Sequence, residues 1–173
     1  MQRVISYWLI PCPEHKAKFQ QIISDLSEKY DAPVFEPHLT VFTGIFSDDE
    51  AKNVLRTTLP GTGALVVKAD KLDYTAEYTK TFILRMVKNE YIEQLYMKMR
   101  SMCREPSSFV FEPHMSFIYK LMPKETKRQF MDSISIPVRE VTFDSVKAID
   151  TPEPVETREH VESWRIVSTM PLS

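Results

Sequence analysis

The chain is expected to fold as an α+β protein built on antiparallel sheets, and three observations carry that expectation. Strand-length apolar and β-branched stretches are interleaved with segments of helical periodicity in a mixed order. One octapeptide pattern occurs twice, with an offset of 76 positions in 173 residues. No linker rich in Pro, Gly and Ser separates the halves, so residues 1–173 read as a single domain of two lobes.

The elements follow in order. Residues 3–10 form a strand that runs into Pro11 and Pro13. Residues 14–30 carry Phe19, Ile22, Ile23, Leu26 and Tyr30 on one helical face, and Pro13 suits a first helical turn. Residues 38–46 are a strand. Ser47-Asp48-Asp49-Glu50 is a capping box that opens a helix to about Leu59, stopped by Pro60-Gly61. Residues 63–72 and 80–87 read as strands. Asn89 can cap a helix bearing Ile92, Leu95, Tyr96, Met99 and Cys103. Residues 114–120 are a strand, and Pro123 opens a short helix to about Asp132. The last strands are 138–149 and 162–169. Between them Asp150 to His160, with Pro152 and Pro154, reads as a mobile surface loop.

Composition narrows the function. An apolar share of 43% with 27% charged residues describes a globular protein. Net charge is −2 with both signs spread along the chain, which argues against a long nucleic-acid track. No apolar run is long enough for a membrane span, and the aromatic N-terminus lacks the form of a secretory signal. Cys12 and Cys103 match no metal or redox spacing. They read as two buried free thiols of a cytoplasmic protein, with one disulfide as the alternative.

The repeated pattern carries the chemistry. Residues 35–42 read Phe-Glu-Pro-His-Leu-Thr-Val-Phe, and 111–118 read Phe-Glu-Pro-His-Met-Ser-Phe-Ile. Strand side chains alternate faces, so His38 and Thr40 point one way, as do His114 and Ser116, roughly 7 Å apart within each pair. Leu39, Val41, Met115 and Phe117 then face the hydrophobic layer. If a pseudo-twofold axis relates the lobes, the two polar rows meet across a cleft. One neutral imidazole takes a proton from water and a protonated one gives a proton to a leaving oxygen. The hydroxyls hold the non-bridging phosphate oxygens. Only three glycines are present, Gly44, Gly61 and Gly63, so no Gly-rich loop is available to cradle a phosphate.

Two His-x-Thr/Ser motifs about 75 residues apart resemble those of the 2H phosphoesterase superfamily, and within it the plant and yeast cyclic phosphodiesterases. The likeness covers the whole length, from Tyr7-Trp8-Leu9-Ile10-Pro11 through His38-x-Thr40 to His114-x-Ser116-x-x-Tyr119. It implies a bilobal fold: two pseudo-twofold-related antiparallel sheets line a central cleft, with helices outside. It also implies hydrolysis without metal or cofactor of small nucleotides. These are ADP-ribose 1″,2″-cyclic phosphate, a tRNA-splicing by-product opened to the 1″-phosphate, and nucleoside 2′,3′-cyclic phosphates opened to 2′-phosphates. On this resemblance His38 and His114 are catalytic, and Thr40, Ser116 and Tyr119 bind phosphate. Simple alternation places Tyr119 on the wrong face, so it must lie past the strand end or at a bulge. The disulfide set of the plant enzyme cannot be reproduced by two cysteines.

Other residues are weighed more plainly. Trp8 is a candidate stacking surface for a nucleobase, and Phe82 a candidate contact for base or ribose. His15 and His160 read as solvated, and Lys80, Arg85 and Lys120 as exposed charge. Glu36 and Glu112 precede the two histidines equivalently, so a Glu/His metal site is one rival reading. A non-catalytic binder of cyclic phosphates or RNA ends is a second. A sibling enzyme acting on 2′–5′ linkages or RNA ends is a third. Between the histidines, we assign His114 to activating water and His38 to protonating the leaving oxygen. A monomer is expected.

Overall fold

The computed structural model describes all residues from Met1 to Ser173. Seven strands, β1 (Gln2–Pro11), β2 (Leu39–Gly44), β3 (Leu65–Tyr74), β4 (Phe82–Met86), β5 (His114–Ile118), β6 (Glu140–Glu153) and β7 (Arg165–Pro171), pair antiparallel throughout. Five helices, α1 (Pro13–Tyr30), α2 (Asp48–Thr58), α3 (Glu90–Ser101), α4 (Lys124–Ser133) and α5 (Arg158–Glu162), complete the α+β architecture.

The expected two sheets are halves of one hydrogen-bonded ring. One half is β2-β1-β6-β7 and the other is β5-β4-β3. The 14-residue β6 joins them: Glu140–Phe143 pairs with β3, and Phe143–Glu153 pairs with β1. On the opposite side the halves touch at one residue pair, Leu39 with Met115. The helices pack outside, with α1 on β1 and β5, α2 on β6 and β7, α3 on β2, and α4 on β3. They cover a core of 35 buried apolar residues.

The local signals act as their chemistry requires. Pro13 stands in the first turn of α1, where its missing N–H costs nothing. Ser47 and Glu50 close the capping box reciprocally, and the Asn89 side chain accepts from the amide of Ile92 at 3.0 Å. The Asp150–His160 loop is a correction. β6 runs through Thr151 and Pro152 to Glu153, because β1 supplies a partner for each position. Thr157 then caps α5 by accepting from the His160 amide. His15 and His160 are not merely solvated, since their Nδ1 atoms accept from the amides of Thr142 and Glu156, each at 3.0 Å. Cys12 and Cys103 are free and half-buried. No helix is long and apolar enough to cross a membrane.

Candidate active site

The single Leu39–Met115 pair sets the site. Antiparallel pairing there puts His38 across from Ser116 and Thr40 across from His114. Leu39 and Met115 are buried in the core, so all four polar side chains take the other face. They line a cleft of about 960 Å³.

Each histidine is held the same way. Nδ1 of His38 donates to the carbonyl of Glu36, and Nδ1 of His114 to the carbonyl of Glu112, both at 2.7 Å. A carbonyl can only accept, so both Nδ1 atoms carry protons and both Nε2 atoms are left for chemistry. This explains the Glu-Pro-His repeat: proline restricts the preceding backbone and fixes the position of the carbonyl that orients the ring. Glu36 itself closes on Lys16 and Lys147, while Glu112 is exposed. No group of three or more His, Cys, Asp or Glu side chains is placed to hold a metal ion.

Each motif also carries a bulge. Tyr7 pairs with Phe42 and Trp8 with Thr40, which leaves Val41 as an extra residue in β2. Phe82 pairs with Ile118 and Ile83 with Ser116, which leaves Phe117 extra in β5. Both extra residues follow the motif hydroxyl directly. An inserted residue reverses the alternation beyond it, so the fifth residue after each histidine returns to the cleft. That residue is Tyr119 in the second motif, one position past the end of β5, and Thr43 in the first. Tyr119 stacks on Phe35 with ring centroids 3.9 Å apart. Burial pushes its phenol well above the usual range, so it stays protonated and able to donate. Ser116 Oγ donates to the Thr79 carbonyl at 2.7 Å, in the 3₁₀ turn Tyr78–Lys80 that walls the cleft.

Thr43 is a cleft residue that the sequence analysis missed, although it occupies the motif position of Tyr119. Ser6 is another. It shares a strand face with Trp8, and its oxygen accepts from Trp8 Nε1 at 2.8 Å and from Thr43 Oγ1 at 3.1 Å.

Two aromatic assignments change. Trp8 is buried, its ring flat on His38 with centroids 3.6 Å apart and planes 10° apart, and Trp164 meets its edge. Its face is therefore occupied by the histidine and is not open to a base. Phe82 is fully buried between Phe117 and Phe130, away from the cleft. Lys120 is likewise structural, with Nζ donating to the carbonyls of Tyr30 and Asp31 at the end of α1.

Both histidines have lowered proton affinity. Burial, with the nearby charge of His114, brings His38 down to about 4. Burial also lowers His114, helped by Lys80 and Arg85, against the opposing bond to Glu112. His114 is the more exposed of the two.

The sequence matches the family described as cyclic phosphodiesterase-like protein over residues 1–172. The chain belongs to the cyclic phosphodiesterase-like protein family. It is thus a phosphodiesterase of the 2H phosphoesterase superfamily, as the motifs implied. A curated relative, the cyclic phosphodiesterase of Arabidopsis thaliana, is 26% identical over 128 residues, covering 72% of this chain and 70% of the relative. The fold matches E. coli LigT in apo form with a TM-score of 0.61 and 11% identity, across 100% of this chain and 99% of that one. E. coli LigT complexed with 3′-AMP gives 0.58 and 13%, with the same coverage.

Proposed function

We propose that this protein hydrolyses the cyclic phosphodiester of small nucleotides without a metal ion, as a cytoplasmic monomer whose cleft is complete in one chain. The carrying observation is the paired site: two imidazoles with fixed Nδ1 protons, each across the strand junction from a hydroxyl. The substrate class, a nucleoside 2′,3′-cyclic phosphate or an ADP-ribose 1″,2″-cyclic phosphate, comes from the family resemblance. Thr40 and Tyr119 donate to the phosphate oxygens as negative charge moves onto them, and Ser116 joins them when its proton turns from the Thr79 carbonyl to the phosphate.

The environments favour an order of roles opposite to the one assigned from sequence. Lowering His38 from 6.5 to about 4 corresponds to about 3 kcal/mol against its charged form. A desolvated cation–π contact with Trp8 would return about 2 kcal/mol. Burial wins, so in this reading His38 stays neutral and takes the proton from water. His114, which holds its proton more readily, protonates the leaving oxygen.

The test is hydrolysis of 2′,3′-cyclic nucleotides and ADP-ribose 1″,2″-cyclic phosphate with and without EDTA. Turnover unaffected by EDTA is expected. Loss in EDTA with recovery on adding a divalent ion would replace the imidazole pair with a Glu/His metal site.

A further inference from the structure

The cleft that would receive an anion is ringed by negative charge. Its ionised lining consists of four glutamates, Glu77, Glu112, Glu153 and Glu156, against one lysine. That lysine, Lys80, is paired with Glu77 at 3.3 Å. Neighbouring cations are committed elsewhere: Lys16 and Lys147 to Glu36, Arg85 to Asp73, Arg158 to Asp31. The proton that His114 carries as the acid is directed at the reacting phosphate, so no lysine or arginine at the mouth is left free to meet a second or third phosphate.

A second observation shows what fits beside the reacting phosphate. From the His38–Trp8 stack the cleft continues along β1 past Ser6 to Val4, with Thr151 and Pro152 on the adjoining strand and Phe109 across from them. This end has no cation. Ser6 is 6% exposed, and its oxygen already accepts two hydrogen bonds. Its own proton meets no protein acceptor, so it is left to donate into the cleft. One placed donor between apolar walls suits an uncharged nucleoside.

We propose that the substrate is a cyclic phosphate joined to an uncharged nucleoside, and that the glutamates at the mouth turn away cyclic phosphates bearing further phosphate groups. This rests on the reading of the cleft as a cyclic phosphodiesterase site. Each added phosphate must approach through the field of the four carboxylates, and a cleft of like charge lowers the encounter rate in the way an opposite charge raises it. The effect is long-range and therefore sensitive to salt. It selects the nucleoside 2′,3′-cyclic monophosphate over the pyrophosphate-bearing alternative and over a phosphorylated RNA end.

The decisive comparison is 2′,3′-cyclic AMP against the same nucleotide carrying a 5′-phosphate, which changes charge and little else. At low salt, kcat/KM is expected to favour the unphosphorylated substrate by about tenfold or more. The ratio should fall as salt is raised toward 0.3 M, because screening removes the repulsion. The exposed pair Glu153→Lys and Glu156→Lys should lower the ratio at least about threefold. A ratio near one, a preference for the 5′-phosphate, or a ratio indifferent to both salt and substitution overturns this inference and leaves the enzymatic reading standing. Turnover of neither nucleotide overturns both.

Discussion

The proposed mechanism gives the four polar side chains at the strand junction unequal shares of the work, and substitution tests that division. His38→Ala and His114→Ala should each lower kcat by about 10²–10⁴-fold while circular dichroism stays native. Thr40→Ala and Ser116→Ala remove one phosphate hydrogen bond among several and should be milder in the same assay. A nitrophenyl diester separates the histidines, since its leaving group needs no proton. Against it, His114→Ala should recover most activity and His38→Ala should not. Equal rescue would reject the assignment of acid and base. The pH profile follows from the same environments. In the proposed roles His38 serves as a neutral base, available above about 4. His114 then serves as the acid, protonated only below a value that burial has moved under the ordinary 6.5. The bell of kcat/KM should therefore peak between about 4 and 6.5, its two limbs belonging to the coupled pair. In the enzyme–substrate complex the bound phosphate anion stabilises imidazolium, so the alkaline limb of kcat should lie at higher pH. A kcat/KM optimum at pH 8 or above would contradict a required imidazolium.

The strands hold these groups through bulges, and this is where the sequence was least legible. Most strand positions, the helix caps and the histidine face follow from period and residue type, but the last strand, expected over 162–169, runs Arg165–Pro171 because α5 extends to Glu162. A bulge leaves no such mark, because Val41 and Phe117 are ordinary strand residues. Resemblance alone places Tyr119, and Thr43, its counterpart, returns to the cleft only because of the bulge at Val41. Phe82, which faces away from the cleft, is illegible for a related reason: nothing in its own strand shows which side the helices cover, and there it packs on Phe130 of α4. The β2 strand ends at Gly44, and the packing there can be tested. A Cβ at Gly44 would lie 2.8 Å from Cys103 Sγ, with the rings of Phe42 and Phe46 at 3.0 and 3.2 Å. Gly44→Ala should destabilise by about 1–3 kcal/mol through overpacking. Cys103→Ala in the same chain removes the closest atom, so the double variant should recover part of that loss in denaturant unfolding. Strict additivity would show that the phenyl rings, and not the thiol, set the limit.

At the scale of the whole molecule, two similar motifs meet at Leu39 and Met115 but open onto unlike walls. The half-chain repeat announced the two lobes, whereas the ring closure through β6 was hidden, because pairing between distant strands has no local signature. Pro152 reads as a loop residue in the sequence, yet it lies in β6 because β1 supplies Arg3 as its partner, while Pro154 stands just past the strand end. The closed ring fixes both histidines relative to one cleft, with Ser6 and Thr43 toward one side and Tyr119 and the Tyr78–Lys80 turn toward the other. A nucleoside that fills only the Ser6 side leaves the cyclic phosphate one orientation. In-line displacement then requires water and leaving oxygen on opposite sides of phosphorus, so a single fixed acid can serve only one of the two ester oxygens. Opening in solution has no such constraint and gives mixtures. The enzyme should therefore convert 2′,3′-cyclic AMP to one product. The family resemblance names it as the 2′-phosphate, with the 3′ ester broken. Chromatography against authentic 2′- and 3′-AMP decides the matter. A dominant 3′-phosphate would mean that the nucleotide lies the other way round, with the roles of His38 and His114 exchanged. A mixture would mean that neither histidine is fixed with respect to the leaving oxygen, which the matched 2.7 Å bonds to Glu36 and Glu112 argue against.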